Sequence, residues 1–176
     1  MQRRVAIKNL LYATGAVVFL PSCNTEDKSA VLLNQIKVTA AQEDLLAALT
    51  ETIIPATDTP GAKELGAHLF VLTMVDDCFK KEDQDKFIAG MQNFTQLAKD
   101  KFKQSFAAGS KQEREAMLLE LEVSKNNAAG VDFFYKSVKR LTIQAYTTSE
   151  YFLTKVQEYK LVPGHFKGCV KISNAS

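Results

Sequence analysis

The stretch Glu51–Phe79, reading ETIIPATDTPGAKELGAHLFVLTMVDDCF, constrains this chain more than any other. A helical pattern runs into Ile53-Ile54 and has to stop at Pro55, because proline has no N–H to give and its ring clashes with the preceding turn. Ala56–Gly61 is a short polar loop. The spacing then predicts a second helix from Ala62 to about Phe79, with Asp58 or Thr59 as its cap and Pro60 in its first position. Leu65, Leu69, Leu72 and Val75, flanked by Phe70 and Met74, leave few positions for solvent, so this helix is expected at the centre of a core.

The flanking sequence builds helices around it. Thr39-Ala40-Ala41-Gln42 is a capping box that opens a helix carrying Leu45, Leu46, Leu49 and Ile53 on one face. After a charged turn at Phe79–Asp83, residues Phe87, Met91, Phe94, Leu97 and Phe102 mark a long amphipathic helix. Ser110-Lys111-Gln112-Glu113 is a second capping box, ahead of Met117, Leu118 and Leu121. An Asn- and Gly-containing loop, Ser124–Gly130, leads to a helix with Phe134, Val138, Leu141 and Ala145 inward. Ser149-Glu150 starts a short helix towards Tyr159, and a Pro/Gly-punctuated tail follows. With no convincing strand pair, the fold class is all-α: a single compact helical domain of about six helices with an irregular C-terminal tail, over residues 39–176.

Residues 1–22 read as an export signal. They carry Arg3, Arg4 and Lys8 and no acid, followed by the apolar run Leu10–Leu20, which is shorter than the roughly 20 residues a membrane-spanning helix needs. The paired arginines, followed by Ile7 and Lys8, resemble a twin-arginine signal; Ala6 stands where that pattern prefers Phe, which leaves the general secretion route open. Leu20-Pro21-Ser22-Cys23 resembles a lipobox, with Cys23 as the lipidated residue, against the plainer alternative of ordinary secretion with cleavage nearby. The expected location is therefore the periplasmic side of a bacterial membrane, lipid-anchored, with residues 23–38 as a tether. Without the signal the chain holds 19 basic against 20 acidic side chains, so no nucleic-acid surface is indicated. Outside the cytosol, the remaining pair Cys78 and Cys169 argues for an internal disulfide, with two free thiols or a bridge to a partner as the competing readings.

Catalytic and cofactor motifs are missing: there is no Cys-x-x-Cys-His, Gly-x-Gly-x-x-Gly, Walker loop, His-Glu-x-x-His or Gly-x-Ser-x-Gly. No catalytic residue, resident cofactor or metal site is assigned. His68, on the apolar helix, reads as a hydrogen-bonded core or interface histidine rather than a metal ligand, and His165, in a Pro-Gly loop, as solvated or partner-facing. Asp76-Asp77 reads as a solvated helix end, since adjacent helical side chains diverge by about 100° and do not converge on a substrate. Lys80-Lys81-Glu82-Asp83 reads as a solvated turn, and of Phe133-Phe134 one ring is expected in a contact surface.

Four segments carry a family resemblance: Thr52–Ala62 (TIIPATDTPGA), Asp132-Phe133-Phe134, Ala145–Glu150 (AYTTSE) and Val162–Cys169 (VPGHFKGC). Together, in this order, they resemble the small (gamma, third) subunit of membrane-bound gluconate 2-dehydrogenase-type enzymes, over roughly Thr39 to Val170. The resemblance implies an accessory subunit, not itself catalytic, that assists the folding, export or anchoring of a glucose-methanol-choline-type flavoprotein. FAD would then sit in that partner and haem c in a possible cytochrome subunit. The surface chosen for partner binding comprises Asp58, Pro60, Gly61, His68, Tyr146, Ser149, Glu150, Pro163, Gly164 and His165. The alternative is a free-standing helical lipoprotein that binds a small ligand.

Overall fold

The computed structural model describes residues 33–123 and 130–157, together with residues 159, 160, 162, 164 and 169. The signal residues Arg3, Arg4 and Cys23, the loop 124–129, and Pro163 and His165 of the tail lie outside them. Helix α1 spans Ala40–Ile53, α2 Ala67–Cys78, α3 Lys81–Phe102, α4 Lys111–Val123 and α5 Val131–Thr147. A 3-10 turn at Phe106–Ala108 joins α3 to α4, and a short π-helical segment, Phe152–Val156, follows α5. Among the described residues there is no strand, and the all-α expectation holds.

Several boundaries follow from local chemistry. At α1 the Thr39 side chain accepts from Gln42 N while Gln42 Oε1 accepts from Thr39 N at 2.9 Å, which satisfies two otherwise orphaned donors. Ser110 and Glu113 do the same for α4, with Ser110 N donating to Glu113 Oε2 at 2.8 Å. Helix α1 ends where Pro55 requires it, with Ile54 as its C-cap.

The core is one cluster built on α2, α3 and α5, with α1, α4 and the 3-10 turn closing it. Phe87, Phe94, Phe106 and Phe134 are fully buried; Phe134 lies 5.0 Å from Phe87 and 5.5 Å from Phe94 between ring centres. Rings at this spacing contribute beyond their buried area. Glu122 of α4 accepts from Tyr135 at 2.7 Å and from Lys139, fastening α4 to α5. Phe133 is half-buried at a surface cavity beside Phe79, as the two-sided Phe pair required.

Expectations are corrected at three places. First, the central helix starts at Ala67, not Ala62, and neither Asp58, Thr59 nor Pro60 caps it. Residues 62–66 form turns closed by Ala67 N to Ala62 O, and Gly66 sits at φ 68°, which a right-handed helix does not admit. The buried stripe shifts accordingly to Val71, Leu72 and Val75, with Leu65, Leu69, Phe70 and Met74 half-buried.

Second, Asp76 is no solvated helix end. It is 2% exposed and accepts three backbone N–H groups: Asn34 at 2.7 Å, and Gln35 and Ile36 at 2.8 Å each. Burial by itself raises the Asp76 pKa, but the three donors together outweigh it and hold the carboxyl below its ordinary 3.8. Gln84, fully buried in the first turn of α3, donates to the carbonyls of Val75 (3.1 Å) and Asp76 (2.9 Å), closing the end of α2. The described end of the expected tether, residues 33–38, is thus docked, with Ile36 and Val38 buried in the core. Of the expected solvated turn Lys80-Lys81-Glu82-Asp83, Lys80, Lys81 and Glu82 are exposed, but the segment is helical from Lys81 on.

Third, Cys78 and Cys169 are both free and exposed, and the internal disulfide is not formed. The Cys78 thiol sits at the outer end of α2 against Met74 Sδ at 4.0 Å.

Candidate partner-binding surface

The loop between α1 and α2 is held by a residue that sequence reasoning passed over. Glu51, in the last turn of α1, accepts from Ala56 N at 2.9 Å with one carboxylate oxygen and from Lys63 N at 3.2 Å with the other. Ala62 N donates to Ile54 O at 2.9 Å, so the loop is pinched shut at its base. Gly61 lies inside this pinch. A Cβ there would come within 2.6 Å of both Ala56 N and Glu51 Oε2, which leaves room for no side chain. An acid nine positions before the Pro60-Gly61 pair was the available signal, but nothing local in the sequence ties it to the far side of the loop.

The pinch leaves Ala56, Thr57, Asp58 and Thr59 exposed at the tip, where Thr57 N donates to Thr59 O at 3.0 Å. Pro60 is half-buried, and its carbonyl accepts from Tyr146 Oη at 3.2 Å, a contact 86 positions apart in sequence. Behind this bond, Ala62, Ala67 and Ala145 form a small buried cluster covered by Ile54, Phe70 and Tyr146. Small side chains let the loop base, the start of α2 and the end of α5 approach closely.

The turn after α5 is shaped by Ser149. Its hydroxyl donates to Tyr146 O at 2.7 Å and accepts from Phe152 N at 3.2 Å, so it both ends α5 and starts the next helical segment. Phe152 stacks edge-on against Tyr146 with ring centres 6.1 Å apart. A surface groove of about 650 Å³ opens alongside, lined by Leu65 and Phe70 on one side and by Ser149, Glu150, Tyr151 and Lys155 on the other.

Of the residues chosen from sequence, the structure therefore brings Asp58, Pro60, Tyr146, Ser149 and Glu150 to one face, with Gly61 buried at the base of the loop. His68 sits apart from the groove, half-buried at the start of α2. Burial lowers its pKa; Glu43 opposes this, Lys63 adds to it, and Asp44 opposes it. Its Nδ1 is buried without a hydrogen-bond partner among the described residues. Gly164 is in the left-handed region, φ 68°, with open space around it. The Asp132-Phe133-Phe134 segment lies elsewhere, where Phe133 lines a cavity of about 670 Å³ with Cys78, Phe79, Lys80 and Arg140.

Among the described residues no group of three or more His, Cys, Asp or Glu side chains is placed to hold a metal ion, and no helix is long and apolar enough to cross a membrane. The face combines an exposed polar tip, a rigid base and an apolar-sided groove, a combination suited to recognition by shape and hydrogen bonding. No curated protein and no solved structure matches the chain. The family model for gluconate 2-dehydrogenase subunit 3 matches residues 40–164, from the first residue of α1 into the tail. The chain belongs to the gluconate 2-dehydrogenase subunit 3 family, and with it to the subunits of a dehydrogenase complex.

Proposed function

We propose that this chain is a non-catalytic accessory subunit whose loop-and-turn face holds the flavoprotein subunit of a dehydrogenase complex and assists its export, folding or anchoring. The observation that carries the reading is the Tyr146–Pro60 bond. It joins two of the four segments that resemble the family, Thr52–Ala62 and Ala145–Glu150, into one exposed face. Rigid loops on a scaffold are where recognition concentrates. The flavin belongs in this reading to the partner, and haem c to a further cytochrome subunit. Periplasmic location with Cys23 as lipid attachment site, and export through Arg3 and Arg4, complete the proposal on the strength of the sequence alone.

Purification of the tagged chain from its native host, with flavin absorbance read on the eluate, tests the proposal. Co-elution of a flavin-containing protein is the expected result, together with no reduction of an acceptor dye by the isolated chain on a sugar or polyol. An isolated chain that reduces the dye or holds flavin by itself contradicts it. Replacement of both Arg3 and Arg4 by lysine is expected to stop export of this chain and of the co-exported flavoprotein; unchanged export points to the general secretion route.

A further inference from the structure

The docked N-terminal segment gives the molecule two unlike ends. Asp76 fixes residues 34–36 near the end of α2, while Ala67, at its start, belongs to the apolar cluster under the loop. Nine residues of helix at 1.5 Å each separate them by about 14 Å. Helix α1 tells the same story: Thr39, directly after the docked segment, caps its first turn, and the loop follows its last. At 14 residues it is about 21 Å long. The chain therefore enters at one end of the α1–α2 pair and displays the loop at the other.

We infer that, in the anchored protein, the loop-and-turn face is the end turned away from the bilayer, and that the partner it takes is a water-soluble subunit standing above the membrane, not one embedded in it. This inference rests on the reading of Cys23 as the lipid attachment site and of the loop face as the partner surface. Residues 24–32 are all that lie between that cysteine and Leu33, the first residue described. The ten Cα–Cα steps from Cys23 to Leu33 reach at most about 36 Å even when fully extended. No described helix is long and apolar enough to cross a membrane, and for a domain seated on the lipid surface the placement that demands least chain puts the fixed segment, Asp76 and the start of α3 nearest the lipid. Bringing the loop down instead requires the nine residues to run back past the domain, using most of their length. A docked segment, unlike a free tether ending at residue 38, leaves no further slack: residues 33–38 are spent on the core, where Ile36 and Val38 are buried.

The test uses the full-length protein purified from membranes, in a Cys78→Ser, Cys169→Ser background that removes the two exposed thiols. One dye is placed through Thr57→Cys at the loop tip, or through Glu82→Cys at the start of α3; both positions are exposed. The protein is reconstituted on phosphatidylethanolamine–phosphatidylglycerol vesicles carrying a headgroup-linked energy acceptor. Transfer to the lipid dye is expected to be at least about twofold stronger from position 82 than from position 57, given a difference in height of about 14 Å. Protein that floats with the vesicles but transfers equally from both positions, or more from position 57, overturns the orientation alone. Protein that fails to float, or whose Cys23 reacts with maleimide, overturns the lipid anchor and the orientation with it. Flavoprotein retention on the wild-type chain, measured separately, reports on the partner surface.

Discussion

Gly61 has its nearest neighbours on two sides, the Ala56 backbone and the Glu51 carboxylate, and both would be struck by a methyl group. Gly61→Ala is therefore expected to cost about 1–3 kcal/mol, the usual range for overpacking, with the loss read as a lowered urea midpoint at unchanged slope. Asp76 makes a stronger case. Asp76→Asn removes the charge that three N–H groups share and turns an amide towards donors; about 2–4 kcal/mol is expected at pH 7. The sign of its pH dependence follows from the lowered pKa. The carboxylate contributes fully above the ordinary carboxylate range, and that contribution is lost as pH falls through its folded-state value. Urea melts of wild type and Asp76→Asn at descending pH are expected to converge below about pH 4. A difference that persists unchanged at pH 2 contradicts this account. Neither residue could be assigned its role from sequence, because the partners of Asp76 lie about forty positions upstream and those of Glu51 across a loop.

At the scale of elements, legibility tracked the range of the interaction. Both capping boxes, Thr39–Gln42 and Ser110–Glu113, are i to i+3 contacts, and both formed as read. The inward faces of α3 and α5 were legible through their 3.6-residue period, down to Phe87, Met91, Phe94, Phe134, Val138, Leu141 and Ala145. The start of α2 differs from the expectation because Pro-Gly after Asp-Thr matches a helix start locally, while Gly66 and the Glu51 bonds place that start five residues later, at Ala67. The segment 33–38 was misread because extended residues ahead of a capping box look the same whether free or docked. Its docking predicts that Ile36→Ala loses about 2–4 kcal/mol, as buried isoleucines do, while Lys37→Ala, one position on and exposed, stays within about 0.5 kcal/mol. Equal, negligible effects at both positions would return the segment to a tether.

For the whole molecule, the all-α class and the family were readable because many weak signals agreed along the chain, and the family match spans residues 40–164. The candidate face was half readable: its residues could be picked out as loop positions, but only the fold brings Pro60 to Tyr146 and excludes Phe133 from the same surface. Central to the account is that this face, and not the opposite end of α2, holds the flavoprotein. The direct measurement is retention of flavin-containing protein by immobilised chain, comparing wild type with the double variant Asp58→Lys, Glu150→Arg and with Lys80→Glu, Arg140→Glu at the far cavity. All four positions are exposed, so circular dichroism is expected to stay at wild-type helicity for each variant. Loss of a contact hot spot costs 2 kcal/mol or more, roughly thirtyfold in affinity, and that loss is expected for the loop-and-turn variant alone. Wild-type retention by Asp58→Lys, Glu150→Arg, with loss confined to Lys80→Glu, Arg140→Glu, would contradict the account.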